Sequence, residues 1–210
     1  MKIKICGMKT PKNIQEIVSL NPDLIGFIFY KKSRRYIDKS TLQSSIQKIP
    51  APIKKVGVFV NETNDVIQAI AQQYALDIIQ LHGEESIAQC QALHEKGFNI
   101  IKAFPIQDKI DIEVLATYIP YCSAFLFDTK TSQFGGSGQA FNWNILQNYT
   151  LDKPFYLSGG IGLSNIKQAL KIKHPALIGF DCNSQLEDEA GLKNYNHTKQ
   201  LINTIRNEHI

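Results

Sequence analysis

The sequence predicts a single-domain (β/α)8 barrel over residues 1–210, and three observations indicate it. The length of 210 residues fits one α/β barrel, with no linker or low-complexity segment. Short apolar strands alternate with amphipathic helices along the whole chain. Polar residues recur at the C-terminal ends of those strands, where barrel enzymes carry their chemistry. An open, doubly wound sheet of similar length is the structural alternative.

Eight strands are predicted from short apolar runs. In chain order they are Lys2–Cys6, Leu24–Phe29, Lys55–Val60, Asp77–Leu81, Asn99–Ala103, Ala124–Asp128, Pro154–Ser158 and Leu177–Cys182. The helical stretches are Pro11–Leu20, Ser40–Ile49, Thr63–Tyr74, Glu84–Lys96, Ile110–Ile119, Leu163–Ile172 and Tyr195–Asn207. This alternation is the spacing expected of parallel β/α repeats.

Alternation of side chains across a strand predicts which residues face the barrel interior. Lys4 shares a face with Cys6, and Gln80 shares a face with His82. Asp128 shares a face with Ala124 and Leu126. Asp181 shares a face with Gly179, and Ile178 and Phe180 are expected on the opposite face of the same strand. The polar residues expected at the C-terminal rim are Cys6, His82, Asp128, Ser158 and Asp181. Their convergence predicts a site at this rim.

Composition excludes several classes of function. The chain has 43% apolar and 20% charged residues and a net charge of +4, without a basic stripe interleaved with aromatic residues. We therefore expect no nucleic-acid partner, and an anionic small molecule suits the mild positive charge. No targeting segment or membrane span is predicted. The four cysteines contain no C-x-x-C pair, which argues against a zinc site or disulfide framework and favours a cytoplasmic protein.

Two residues at strand ends are candidates for proton transfer. Cys6 precedes Gly7, and a thiolate there can act as a base, although a lone cysteine is more often a small buried filler. Lys4 on the same face would need a carboxylate partner and would favour a nearby thiolate. Asp128 can act as an acid or can only cap the following loop.

The remaining candidates lie in loops. Gly159-Gly160 follows the seventh strand, where barrels commonly bind phosphate through backbone N–H groups, although a Gly-Gly pair is usually only a turn. The glycine-rich segment 133–138 can form a mobile lid or an ordinary loop. Arg35 offers a planar fork for a carboxylate, and His82 is a base, an orienting group or a structural histidine.

With these residues assembled, the chain resembles the phosphoribosylanthranilate isomerase family. The matching stretches are Lys4-Ile5-Cys6-Gly7, Gly26-Phe27-Ile28-Phe29-Tyr30 with Ser33 to Tyr36, Val56-Gly57-Val58-Phe59-Val60-Asn61-Glu62, Gln80-Leu81-His82-Gly83-Glu84, Asp128-Thr129-Lys130 with Gly135-Gly136-Ser137-Gly138, Phe141 with Trp143, and Leu157-Ser158-Gly159-Gly160-Ile161. Each stretch is short, but their order and spacing are together highly specific.

The resemblance implies an Amadori rearrangement of a phosphorylated aminoaldose in tryptophan biosynthesis, without metal or other cofactor. It implies that Cys6 is the base, that Asp128 is the acid and that Arg35 binds the anthranilate carboxylate. The loops at Gly159-Gly160 and Asn183-Ser184 would bind the phosphate. The other substrate-binding residues that we predict are His82, Gly136 and Asp181.

Three positions depart from the family pattern. Gln139 replaces a usual lysine, Asn142 a usual aspartate and Gln185 a usual glycine, the last in a strand-eight loop that is the weakest match. Alternatives are another phosphate-binding barrel, such as a pentose-phosphate epimerase or indole-glycerol-phosphate synthase, and a catalytically silent ligand-binding barrel. No apolar stripe suggests a dimer interface, so we predict a monomer.

Overall fold

The computed structural model describes residues 1–37, 42–129 and 142–207. Eight parallel strands close into a barrel in chain order, each paired with its sequence neighbours and the first paired with the eighth. They are β1 (Lys2–Ile5), β2 (Leu24–Ile28), β3 (Lys54–Phe59), β4 (Ile78–Leu81), β5 (Ile100–Ile106), β6 (Ala124–Thr129), β7 (Phe155–Leu157) and β8 (Leu177–Cys182). The predicted barrel is confirmed, because an open doubly wound sheet would leave two unpaired edges.

Helices cover the outside of the barrel. They are α1 (Pro11–Val18), α2 (Gln43–Gln47), α3 (Asn64–Tyr74), α4 (Ile87–Glu95), α5 (Ile112–Tyr118), α6 (Ile166–Ala169) and α7 (Tyr195–Asn207), with 3₁₀ helices at Ile119–Tyr121, Trp143–Asn148 and Ser184–Leu186. Thr63, Ser86 and Asp111 each accept a hydrogen bond from a backbone N–H three residues ahead, which fixes the starts of α3, α4 and α5. No described helix is long and apolar enough to cross a membrane.

Several element boundaries differ from the prediction by a few residues, and two of the differences have a clear structural reason. The helix predicted at Leu163–Ile172 is only α6, because the Asn165 side chain accepts from Gly162 N and donates to Gly160 O. These bonds fold the first residues into a turn. Strand β5 extends three residues beyond the predicted end at Ala103, because its pairing with β6 continues to Ile106 opposite Thr129.

Two apolar clusters separate the inside of the barrel from the layer beneath the helices. Cys6 and Leu126 belong to the interior cluster, whereas Phe125 and Phe127 belong to the outer one, as strand alternation predicts. One assignment was wrong. Ile178 packs against the interior cluster, because the pairing of β7 with β8 shifts register there and interrupts the alternation.

An antiparallel hairpin that was not predicted follows β8. Its strands are β9 (Glu187–Glu189) and β10 (Leu192–Lys193). Asn13 of α1 fastens the hairpin to the barrel, because its side chain donates to Lys193 O and accepts from Lys193 N, both at 2.8 Å. The hairpin therefore lies beside the C-terminal end of β1, where the functional site is expected.

Candidate active site

A cavity of about 650 Å³, counting its open mouth, lies at the C-terminal ends of the barrel strands. Its lining residues come from the strand ends and the loops that follow them: Cys6, Ile28, Tyr30, Ser33, Val58, Val60, Gln80, His82, Asp128, Ser158, Gly159, Gly160, Ile161, Asp181, Asn183 and Ser184. Every predicted rim residue lines this cavity. Strand β1 is separated from β6 by β7 and β8, so Cys6 and Asp128 lie on different sides of the mouth.

Glycines make room for the Cys6 thiol. Gly7 adopts a φ of +77°, a conformation that side chains disfavour, and turns the chain away immediately after Cys6. On the neighbouring strand, a Cβ at Gly26 would lie 2.6 Å from the Cys6 Sγ atom. The thiol is 3% exposed and lines the cavity. Local backbone therefore places the sulfur at the inner wall of the opening.

Lys4 is fully buried and paired with Asp181. Its Nζ atom lies 2.8 Å from the Asp181 Oδ1 atom, which connects β1 to β8. Burial alone would lower the pKa of Lys4, but the Asp181 carboxylate and the Cys6 thiol outweigh burial and raise the lysine pKa. Lys4 therefore stays charged, as the predicted need for a carboxylate partner requires. Asp181 lines the cavity as one half of this ion pair.

Opposing effects act on the ionisation of Cys6. Burial is the largest effect and raises the pKa of the thiol, because it disfavours the charged form. The Lys4 cation lowers that pKa, Asp181 raises it, and the net change is upward. Ionisation of the Cys6 thiol is thus opposed by burial and assisted by the neighbouring cation.

Asp128 is the end of a three-residue hydrogen-bond chain. Its Oδ2 atom lies 3.1 Å from His82 Nε2, and His82 Nδ1 lies 2.7 Å from Gln80 Nε2. A Gln80 amide that donates to Nδ1 leaves the ring proton on Nε2, directed at Asp128. The other carboxylate oxygen accepts from Thr129 N at 2.9 Å. His82 lines the cavity and also fixes the orientation of Asp128.

The loops predicted to bind phosphate meet at the same opening. Gly159 and Gly160 adopt φ angles of +86° and +68°, and a Cβ at Gly159 would lie 2.2 Å from Thr129 Oγ1. The N–H group of Gly160 has no hydrogen-bond acceptor among the described residues. Asn183 and Ser184 contribute from the loop after β8. Because two adjacent glycines carry no side chains, an anion can approach their backbone N–H groups closely.

Arg35 lies beside the cavity and does not line it. Its Nε and Nη2 atoms donate to the Glu187 carboxylate at 2.9 and 2.6 Å, and both side chains are largely buried. The pKa of Glu187 is lowered, because Arg35 and Lys193 together outweigh the opposing effect of burial. Lys193 is also buried, and its Nζ lies 2.5 Å from Glu187 Oε1. Neither Glu187 nor Lys193 was predicted from the sequence.

The departures from the family pattern lie at the periphery or outside the described residues. Gly136 and Gln139 are outside the described residues. The Asn142 side chain accepts from Asn144 N at 3.1 Å and caps a 3₁₀ helix. Gln185 is exposed and does not have a positive φ, so its backbone does not require glycine.

The expectations of a monomer, of a cytoplasmic protein and of no metal stay predictions.

Comparisons with known proteins agree with this geometry. Residues 3–204 match the family model for N-(5'-phosphoribosyl)anthranilate (PRA) isomerase. A relative from Parabacteroides distasonis, named N-(5'-phosphoribosyl)anthranilate isomerase, is 43% identical, with 98% of this chain and 93% of the relative covered.

Two solved structures superpose over nearly the whole chain. The phosphoribosyl anthranilate isomerase of Thermotoga maritima has a TM-score of 0.87 at 31% identity, with 99% of each chain covered. A second isomerase, in complex with reduced 1-(o-carboxyphenylamino)-1-deoxyribulose 5-phosphate, has a TM-score of 0.84 at 28% identity, again with 99% of each covered. A Thermotoga maritima relative is described as dimeric.

Proposed function

Because this chain belongs to the N-(5'-phosphoribosyl)anthranilate isomerase family, we propose that it performs the family's reaction with Cys6 as general base and Asp128 as general acid. The chain is an aldose–ketose isomerase of tryptophan biosynthesis. The reaction is an Amadori rearrangement that converts N-(5-phosphoribosyl)anthranilate into an open-chain 1-deoxyribulose 5-phosphate. The assignment of residues to its steps is the proposal.

Two proton transfers carry the mechanism. Asp128 donates a proton to the furanose ring oxygen, the C1–O bond breaks, and the anthranilate nitrogen lone pair forms a cationic imine at C1. The imine acidifies the C2 proton, which the Cys6 thiolate removes to give an enolamine. The enolamine then tautomerises to the ketone. A positioned acid and base suffice for these steps.

One observation carries the assignment: the Cys6 thiol and the Asp128 carboxyl line one cavity from β1 and β6. Each has a polar neighbour. Lys4 favours the Cys6 thiolate, and His82 orients the Asp128 carboxyl from 3.1 Å. The pair therefore has a shared opening, a base assisted by a cation and an acid held in a fixed orientation.

The substrate carries an anionic group at each end. We propose that backbone groups of the Gly159-Gly160 and Asn183-Ser184 loops bind the phosphate. Arg35 binds the anthranilate carboxylate from beside the cavity, with His82 and Asp181 near the ribose. A family model that covers residues 3–204 leaves an epimerase or a synthase without support.

The assignment is tested with purified Cys6→Ala and Asp128→Asn proteins. We expect each to reduce kcat by about 10²–10⁴-fold, since loss of a positioned acid or base commonly has this effect. The fluorescence of N-(5-phosphoribosyl)anthranilate, followed as it is consumed, measures turnover. Cys90→Ala is the matched control, because Cys90 is equally buried but lies in the outer cluster.

Near-normal turnover of Cys6→Ala would remove the base assignment, and near-normal turnover of Asp128→Asn would remove the acid assignment. Growth of a tryptophan auxotroph that lacks this isomerase tests the reaction itself. Failure of the wild-type chain to complement it, despite folded expression, would favour the catalytically silent barrel.

A further inference from the structure

We propose that Glu187 is a positioning residue that orients Arg35 toward the aromatic carboxylate of the substrate. This inference rests on the proposed role of Arg35 and deepens it. Nothing in the sequence motifs assigns a role to the hairpin that carries Glu187.

An arginine side chain can bind a carboxylate along two edges of its planar guanidinium group. In Arg35 the Nε–Nη2 edge is occupied by Glu187, with Nε at 2.9 and 3.0 Å from the two carboxylate oxygens and Nη2 at 2.6 Å from one of them. The Nη1 atom has no hydrogen-bond partner among the described residues. One edge is thus fixed, and the other remains for a second carboxylate.

Glu187 is bound too firmly to be a transient partner of Arg35. Its Oε1 atom also accepts from Lys193 Nζ at 2.5 Å and from Gly191 N at 3.0 Å. Its side chain is 5% exposed, so removal of either cation would leave a buried charge without compensation. We infer that Glu187 stays in place when substrate binds and does not compete for the carboxylate.

The same hairpin connects the two anion-binding ends of the site. Lys193 Nζ, besides pairing with Glu187, donates to Asn183 Oδ1 at 2.7 Å in the loop proposed to bind phosphate. Arg35 and Lys193 carry two positive charges against the one negative charge of Glu187, so the cluster keeps one net positive charge. Such a cluster can orient an arginine without cancelling its attraction for an anion.

Close packing places this cluster next to the proposed base. A Cβ at Gly7 would lie 2.8 Å from Arg35 Cδ and 2.6 Å from Asn183 Oδ1. Both side chains therefore cross directly over the residue that follows Cys6. A change in the direction of the Arg35 guanidinium would move the aromatic end of the substrate relative to the thiol.

The test compares two ligands that differ only in the aromatic carboxylate. One is reduced 1-(o-carboxyphenylamino)-1-deoxyribulose 5-phosphate, and the other is its phenylamino counterpart without the carboxylate. The ratio of their dissociation constants measures recognition of the carboxylate alone. We expect Arg35→Met to reduce this preference about 100-fold and Glu187→Gln about tenfold, as loss of charge-assisted hydrogen bonds does.

Three controls separate positioning from stability. Glu187→Asp retains the charge that Arg35 and Lys193 need for folding, but its side chain is one methylene shorter. We therefore expect this variant also to lose the preference for the ligand with the carboxylate. Glu189→Gln changes an exposed carboxylate of the same hairpin and should leave the ratio unchanged. In every variant, affinity for the ligand without the carboxylate should change less than affinity for the carboxylate ligand, because only the latter contacts Arg35.

Equal weakening of both ligands by Glu187→Gln and Glu187→Asp would overturn the inference, because it would indicate a purely structural role. An unchanged or increased preference would also overturn it, since Glu187 would then be neutral or a competitor. If Arg35→Met itself keeps the preference, the carboxylate role proposed for Arg35 fails. If Arg35→Met loses the preference and the Glu187 variants keep it, only the positioning role of Glu187 fails.

Discussion

Two buried lysine–carboxylate pairs lie on opposite sides of the barrel wall. Lys4 and Asp181 are 2.8 Å apart inside the barrel, and Asp181 lines the cavity. Lys102 and Glu85 are 3.1 Å apart. Lys102 lies on the opposite face of β5 from the interior residue Ala103, so the second pair belongs to the outer layer. The two pairs have similar burial and similar chemistry.

Their additional partners differ. Lys102 also donates to the carbonyl groups of Gly83 and Ala103, at 2.8 and 2.9 Å, and Glu85 accepts from the N–H groups of Asn61 and Gly83. The outer pair thus fastens the loops after β3 and β4. Lys102 also lowers the pKa of Cys90 and Cys122, but these thiols do not line the cavity. Lys4 lowers the pKa of Cys6, which does line it, against the larger, opposite effect of burial. A buried ion pair therefore serves structure or chemistry according to its other neighbours.

The largest expected contrast is between Lys4→Met and Lys102→Met. Each leaves a buried carboxylate unpaired, so each should lower the free energy of unfolding by about 3–5 kcal/mol. We expect kcat to fall about 10²-fold only in Lys4→Met, because the Cys6 base loses its neighbouring cation. Thermal or denaturant unfolding gives the stability, and turnover per folded molecule gives kcat.

At a temperature where both variants are folded, a kcat as low in Lys102→Met as in Lys4→Met would contradict this difference between the two pairs. A wild-type kcat in Lys4→Met would also contradict it, because the inner pair would then be structural like the outer one. Either result would show that the additional partners do not decide the role of the pair.

A smaller contrast uses two glycines with nearly equal backbone conformations. Gly159 at the rim has a φ of +86°, and Gly97, exposed between α4 and β5, has a φ of +84°. A Cβ at Gly159 would lie 3.0 Å from Asp128 Oδ1 and closer still to Thr129, whereas a Cβ at Gly97 meets nothing within 4 Å. Alanine at either site should cost about 1–2 kcal/mol of conformational strain, and Gly159→Ala should cost more because its Cβ clashes with Thr129.

Only Gly159→Ala should also reduce kcat, by about tenfold, since displacement of a catalytic group by a fraction of an ångström weakens proton transfer. Unfolding curves and turnover of the two variants, measured side by side, check this. If both variants lost activity equally, or if neither lost activity, the close packing around Gly159 would not be what holds Asp128 in position.

The smallest expected effect is a shift in pH dependence. The proposed base is the Cys6 thiolate, and burial raises the pKa of this thiol. The value of kcat/KM should therefore rise with pH along the limb of the pH profile on which Cys6 loses its proton. Lys4 lowers that pKa, so in Lys4→Met the limb should move to higher pH. A pH profile of each protein measures the shift, with Cys90→Ala as an unshifted control. An unmoved limb in Lys4→Met would show that another group titrates.

The barrel was predictable because its pattern is local. Eight apolar runs at regular spacing specify eight strands, and alternation alone placed Lys4, Cys6, Asp128 and Asp181 inside. The prediction failed where a nonlocal contact overrides the pattern. Ile178 faces inward because the β7–β8 pairing shifts register, which alternation within one strand does not reveal.

By itself, the sequence determined the fold, the family and the identity of the residues at the rim, because strand periodicity and short motifs are written in neighbouring residues. Only the tertiary structure decided the partners of those residues. Arg35 binds Glu187 across 152 positions of the chain, and Lys4 binds Asp181 across 177. Glu187 and Lys193 look like ordinary surface charges in a polar segment. They are buried because closure of the barrel brings the hairpin after β8 against α1, where charges must pair with one another to leave water.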